Sequence, residues 1–153
     1  MRVLILFLIL PIMCFASPNI QEIIKKEARD NFLNENLLLA VAVTESALNP
    51  NAMGDDGTSI GLMQIKEATA DFMKFKGHKS QLRNPKINAK ISAQYLRFLY
   101  LQTGDIYKTL DAYNRGLQGI RNNPYVGDWY QHKYVGKVWK NFEKIEKKCF
   151  NSL

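Results

Sequence analysis

Cysteine is nearly absent: Cys14 and Cys149 are the only two among 153 residues. Cys14 lies in an amino-terminal stretch that reads as a removable leader. The mature chain then keeps Cys149 alone and can form no intramolecular disulfide. No histidine lies near Cys149 in sequence to activate a thiol, which argues against a cysteine nucleophile. Histidine is equally scarce. His78 and His132 stand apart, with no second ligand at metal-binding spacing, so no metal and no cofactor is expected. Strand-like alternation is almost missing, and there is no internal repeat or low-complexity tract. A disulfide-stapled scaffold, a zinc module and a repeat protein are thereby excluded. Without cross-links the fold must be held by its core. A mature chain of about 137 residues buries roughly two-thirds of the surface its unfolded form exposes, which suffices.

The long apolar run is confined to the start. Met1-Arg2 supplies a positive end, Val3 to Phe15 is apolar with Pro11 as its one break, and Ala16-Ser17-Pro18 supplies small residues. This is the layout of a secretory signal peptide over residues 1–16, with cleavage expected after Ala16 and Ser17 nearly as good a site. The run is short for a transmembrane span, and Met13 is too large for the position before a lipoprotein cysteine. Residues 17–153 are expected to form one exported domain in the periplasm or cell envelope.

Acidic residues are outnumbered, 14 against 21 basic, for a formal net charge of +7. The densest basic stretch, Lys137, Lys140, Lys144, Lys147 and Lys148, is interrupted by Glu143 and Glu146 and reads as a solvated helix face. Basic charge attracts anionic polymers. Nucleic acid is not expected of an exported protein; an anionic envelope polymer suits the compartment.

Helical spacing dominates, and the fold class expected is all-α, one domain with a substrate groove lined by loops. Ile20 to Phe32 places Ile23, Ile24 and Ala28 on one face. Glu35 to Ser46 is apolar nearly all round and should be a central buried helix. Asn49 to Ser59 reads as a loop, and Gly61 to Ile65 as a short apolar segment, helical or extended. Ala68 to Phe75 looks helical. Asn88 is the expected cap of a helix that Gly104 stops. Asp105 should cap the next, which Gly116 and Gly119 end. Trp129 to Lys148 is the last helical region.

Glu45 is the first candidate for chemistry. It closes the apolar run Leu37 to Val43, just before the turn signal Asn49-Pro50-Asn51. Burial and the negative end of a helix dipole both disfavour its charge. Both push its pKa towards the range a general acid needs near neutral pH.

Four segments carry a resemblance. They are Glu45-Ser46-Ala47-Leu48-Asn49-Pro50-Asn51-Ala52, Gly61-Leu62-Met63-Gln64-Ile65, Asn84-Pro85 with Asn88 and Tyr95-Leu96, and Ala112-Tyr113-Asn114-Arg115-Gly116. In this order and spacing the chain resembles the catalytic domain of soluble lytic transglycosylases, a lysozyme-like family, over roughly residues 20 to 140. The resemblance implies cleavage of the β-1,4 bond between N-acetylmuramic acid and N-acetylglucosamine in peptidoglycan, leaving 1,6-anhydromuramic ends. It places the catalytic glutamate at Glu45, acting as acid and then base. Gln64, Tyr113 and Asn114 fall on its motif positions, and Tyr134 falls where the family often has a tyrosine. Ser46, Ser59 and Met63 complete the expected substrate-binding set, although Ser46 equally suits a helix end and Met63 core packing. Ordinary glycosidases need two carboxyl groups. Here the 2-acetamido carbonyl of muramic acid replaces one, so a single raised-pKa glutamate suffices.

Asp55 and Asp56 leave an alternative open. Their loop looks like that of goose-type lysozymes, so a muramidase hydrolysing the same bond is a second reading; turn chemistry is the plain explanation. Tyr125 and Trp129 are candidates for the groove wall, since sugar faces stack on aromatic rings, whereas Trp139 reads as core. A third reading is a non-catalytic peptidoglycan-binding component of a secretion machine. Peptidoglycan glycan strands are the expected partner, with an envelope-spanning secretion or assembly machine suggested by the resemblance.

Overall fold

The computed structural model of the protein describes residues 19–151. The leader expected over residues 1–16, including Cys14, lies outside them. The first helix, α1 (Ile20–Asp30), starts where the Asn19 side chain accepts from the Gln21 N–H, and it buries Ile23, Ile24 and Ala28. Helix α2 (Glu35–Ser46) is capped by the Asn34 side chain, which accepts from Leu37 N–H. Every residue from Leu37 to Ala42 is buried, as expected for a helix without a polar face. Ala47 and Leu48 then take left-handed backbone, with φ of 52° and 66°. That conformation costs a non-glycine residue roughly 1–2 kcal/mol, and the tertiary packing of the turn holds it.

A three-stranded antiparallel sheet follows, in the order β1 (Met53–Gly54), β2 (Ser59–Ile60), β3 (Ile65–Lys66). Met53 pairs with Ile60, and Ile60 with Ile65. The loop expected over Asn49 to Ser59 covers β1 and the first residue of β2. Strands of two residues are too short to display a period of two, so they leave no sequence signal.

Helix α3 (Glu67–Phe72) is shorter than expected and stops three residues early; Lys74, at φ 61°, turns the chain away. After a 3-10 turn at Lys79–Arg83, α4 (Pro85–Thr103) is capped by Asn84, with Pro85 at its first position, and not by Asn88. Gly104 ends α4 in left-handed backbone and Asp105 caps α5 (Ile106–Asn122) through Lys108 N–H. Gly116, at φ 78° and ψ 158°, leaves helical backbone as expected, and a second helical segment follows the kink to Asn122. Helix α6 (Lys133–Phe150) starts later than expected, capped by the His132 ring, which accepts from Val135 N–H. Helix α2 lies between α1 and α6. One cluster of buried side chains draws on α1, α2, the sheet, α4, α5 and α6. No helix among the described residues is long and apolar enough to cross a membrane.

Asn88 explains its own misreading. It sits fully buried one turn inside α4. Its Oδ1 accepts from Met63 N–H at 2.8 Å, and its Nδ2 donates to the carbonyls of Ile60 and Leu82, each at 2.8 Å. Gly61 makes this approach feasible: a Cβ there would lie 2.6 Å from Asn88 Nδ2 and 2.7 Å from the Leu82 oxygen. Buried backbone groups left without partners cost about 1–3 kcal/mol each. Asn88→Ala should therefore lower stability by about 3 kcal/mol or more, measured by denaturant unfolding; a loss under about 1 kcal/mol would show that water replaces the amide.

Candidate active site

Between β2, β3, the end of α2 and the Gly116 kink of α5 lies a cleft of about 370 Å³, whose wall includes Glu45, Asp55, Gln64, Tyr95, Tyr113 and Asn114. Helix α2 presents Glu45 from its last turn, one residue before its end. Tyr134, from the first turn of α6, donates its hydroxyl hydrogen to Glu45 Oε1 at 2.5 Å. Oε2 has no hydrogen-bond partner among the described residues. Burial raises the Glu45 pKa above its ordinary value; the Tyr134 hydrogen bond and the nearby Lys137 ammonium pull it down, and Asp55 pushes it up. Burial wins. The direction expected from the sequence therefore holds, with desolvation as the leading cause.

Tyr113 lines the cleft while its hydroxyl donates to the Met63 carbonyl at 2.9 Å. Burial and the Glu45 charge hold its phenol well above the usual range. The phenol of Tyr134 is held up in the same way, by burial first and Glu45 second. Both phenols are therefore neutral donors across the physiological range. Asn114 is exposed on the wall, and its side chain makes no hydrogen bond to the described residues. Gln64 also reaches the wall, at φ 48°. Its amide nitrogen is turned inward, donating to the Gly61 carbonyl at 2.9 Å and the Ala52 carbonyl at 3.3 Å. Ser59 is buried in the wall and donates to Asp55 Oδ2 at 2.9 Å.

Two residues expected at the substrate lie elsewhere. Ser46 donates its hydroxyl to the Leu62 carbonyl at 2.8 Å and accepts from Asn49 N–H at 3.1 Å, so it ties α2 to the turn between β2 and β3. Met63 is fully buried in the core; only its backbone serves the site, through Asn88 and Tyr113. Tyr125 and Trp129 are also absent from the wall. They pack with each other at 4.8 Å between ring centroids, and Trp129 stacks on Tyr107 at 6.0 Å. Trp139 packs on Tyr107 and Phe142, as a core residue should.

Asp55 faces the cleft and Asp56 does not line it. Lys66 reaches Asp55 Oδ2 at 3.0 Å. The Lys66 and Ser59 hydrogen bonds lower the Asp55 pKa, so Asp55 is already ionised at the pH where Glu45 begins to lose its proton. The two carboxyl groups are thus pushed apart, one towards an acid and one towards a fixed anion.

A cluster around Asp111, with Arg115 on the cleft wall, was not anticipated from the sequence. Asp111, almost wholly buried, receives Arg115 Nε at 2.7 Å and Nη2 at 2.5 Å. His132 Nε2 lies 3.3 Å from the same carboxylate. Since His132 Nδ1 accepts from Val135 N–H, its proton belongs on Nε2, facing Asp111. The cluster fastens α5 to the start of α6, which carries Tyr134. Four residues separate Asp111 from Arg115, a helical pairing visible in sequence; the His132 link spans elements and was not. Among the described residues no group of three or more His, Cys, Asp or Glu side chains is placed to hold a metal ion.

The Transglycosylase SLT domain matches residues 22–131. The chain belongs to this family. This SLT domain is 30% identical to the invasion protein IagB of Salmonella typhimurium over 119 residues, covering 74% of this chain and 71% of that protein. It is 32% identical over 108 residues to the soluble lytic murein transglycosylase of Escherichia coli K12, covering 65% of this chain and 16% of that protein. Among solved structures, an inactive Glu-to-Gln mutant of the lytic transglycosylase Slt from Pseudomonas aeruginosa aligns with a TM-score of 0.73 at 23% identity, over 84% of this chain and 24% of that one. The SLT domain therefore spans about a quarter of that solved structure, and the likeness speaks for the lysozyme-like fold.

Two measurements check the electrostatics. Because folding raises the Glu45 pKa, the native state keeps a proton that the unfolded chain releases. The glutamate's contribution to stability is therefore lost as pH rises from its unfolded value through its folded one. Glu45→Gln removes that loss, so its stability relative to the parent should rise as pH climbs above the ordinary carboxylate range; a pH-independent difference would refute the shift. Tyr134→Phe removes a bond that favours the carboxylate, so the Glu45 titration followed by carboxyl NMR should move to higher pH.

Proposed function

We propose that this SLT domain is a peptidoglycan lytic transglycosylase, cleaving the β-1,4 bond between N-acetylmuramic acid and N-acetylglucosamine with formation of 1,6-anhydromuramic ends. The observation that carries the reading is the Glu45 carboxyl: desolvated, on the wall of an open cleft, and bonded through one oxygen only. Protonated at Oε2, it donates to the glycosidic oxygen as the C1–O bond breaks. The 2-acetamido carbonyl of the muramic acid closes on C1 in its place. The Glu45 carboxylate then takes the proton of the 6-hydroxyl, whose oxygen attacks C1 and expels the acetamido oxygen. No water is consumed, and Glu45 ends protonated as it began. Tyr134 fixes the carboxyl and supplies a hydrogen bond that strengthens as charge develops on it. Asn114 offers an unused amide to the sugar, and Gln64, Tyr113 and Ser59 shape the wall.

A second reading rests on Asp55. An ionised carboxylate on the same cleft wall can orient a water molecule, which would turn the same bond cleavage into hydrolysis. The plain role of Asp55 is to hold Lys66 and Ser59, and the lytic reading needs nothing from it. Export through the leader at residues 1–16 would bring the enzyme to its substrate in the periplasm. A role beside an envelope-spanning secretion or assembly machine completes the proposal.

Digestion of purified sacculi tests the chemistry. Mass analysis should show muropeptide ends lighter by one water than reducing ends; reducing ends would transfer the protein to the hydrolytic reading. Glu45→Gln should lose at least about a hundredfold in rate while remaining folded. In the parent, activity should fall on the alkaline side as Glu45 loses its proton, at a pH above the ordinary carboxylate range.

A further inference from the structure

Helix α2 is enclosed almost completely, yet one strip of it stays open on the side away from Glu45. Val43 and Glu45 are two positions apart, roughly 200° around a helix axis. On the Val43 side a groove of about 360 Å³ opens between α1 and α6. Its floor is apolar: Leu39 and Val43 of α2, Leu48 of the following turn and Ile145 of α6. Val43, Leu48 and Ile145 are only half-buried. Cations stand on both lips, Lys25 on α1 and Lys144 and Lys148 on α6. None of the three has an ion-pair partner among the described residues, and the wall carries no carboxyl group. None of these residues lines the catalytic cleft.

The groove has a direction. Leu39 and Val43 lie one turn apart on α2, and Lys144 and Lys148 lie one turn apart on α6, so each row follows a helix axis for about 6 Å. A helix laid along the groove presents apolar side chains at i and i+3 or i+4 to such a floor. Carboxylates flanking that stripe meet the lysines on the lips. Charge narrows the occupant. The leader over residues 1–16 is apolar but contains no Asp or Glu, so it leaves the lysines unmatched. A second copy of this chain, at a net charge of +7, is repelled.

We propose that this groove docks an acidic amphipathic helix of another protein. Apolar burial on the floor supplies the affinity, and the lysines select the partner and its orientation. Because the groove opens on the opposite side of α2 from the cleft, the enzyme can be held there while the cleft is on its substrate.

The probe is a synthetic helix of leucine and glutamate, with leucines at i, i+3, i+4 and i+7 and glutamates alongside. Its controls are the same residues with the stripe scrambled, and the striped peptide with lysine in place of glutamate. Fluorescence anisotropy of the labelled peptides reads binding to the protein. The striped acidic peptide should bind at least about tenfold tighter than either control at low salt, and its lead over the lysine peptide should shrink as ionic strength rises. Lys144→Glu with Lys148→Glu, both at exposed positions, should reverse the order of the two striped peptides. Ile145→Glu should remove binding of the acidic one with helix content kept by circular dichroism; if that variant unfolds, the exposed pair carries the test. Equal binding of striped and scrambled peptides overturns the proposal, as does an order that survives the charge reversal. Binding of phosphatidylglycerol vesicles in place of the striped peptide also overturns it, by assigning the groove to lipid. Muropeptide release by the Lys144→Glu, Lys148→Glu protein should match the parent's; a loss overturns the proposal by assigning the lysines to the anionic wall. Because peptide binding is read without turnover, a parent without lytic activity would refute the transglycosylase reading and leave this result standing.

Discussion

The backbone of Gly61 to Gln64 is the constraint on which the site depends. This turn joins β2 to β3 inside the protein, where its N–H and C=O groups have no water to bond. Three helices supply the partners. Ser46 of α2 takes up the Leu62 carbonyl, Asn88 of α4 the Met63 N–H, and Tyr113 of α5 the Met63 carbonyl. Each bond crosses between elements far apart in sequence. Together they set the distance between the hairpin, which carries Ser59 and Gln64, and the helix end that carries Glu45. A shift of any one helix would leave a buried polar group unpaired, so the cleft is held to one geometry by the cost of that loss.

Glu45 is tuned within that frame by opposing effects. Desolvation favours its neutral form and Asp55 acts in the same direction; Tyr134 and Lys137 favour its charge. A group that first gives a proton and then takes one needs this balance, because an acid too weak cannot donate and a base too weak cannot recover the proton. Tyr134 reaches Glu45 only because α6 begins at Lys133. That start is secured by His132, whose ring caps the helix and meets Asp111. The network around Asp111 therefore positions the donor.

The sequence showed much of this, for identifiable reasons. Helix α2 was legible from end to end because its apolar residues run without a polar face and the following turn marks its limit. Gly104 and Asp105 marked a boundary through backbone preference alone. The sheet was invisible, since two-residue strands carry no period. Asn88 was misplaced for a physical reason: asparagine is a good cap, but this one satisfies groups that come from residues 60, 63 and 82, which sequence order does not reveal. Ser46 and Met63 were placed at the substrate because they lie in motif segments, and the structure uses both to hold the turn beneath it.

Local sequence, then, determined the helices, the awkward position of Glu45 and the family to which the chain belongs, because propensity, capping and motif spacing act over a few residues. The tertiary structure alone decided which motif residues face the cleft and which brace it. It also decided that Asp55 faces the cleft as a fixed anion and Asp56 does not line it, and that Tyr134 bonds Glu45. Those outcomes depend on burial and on pairings across 25 to 89 residues of chain, and a desolvation energy exists only once the surrounding helices have closed around the group.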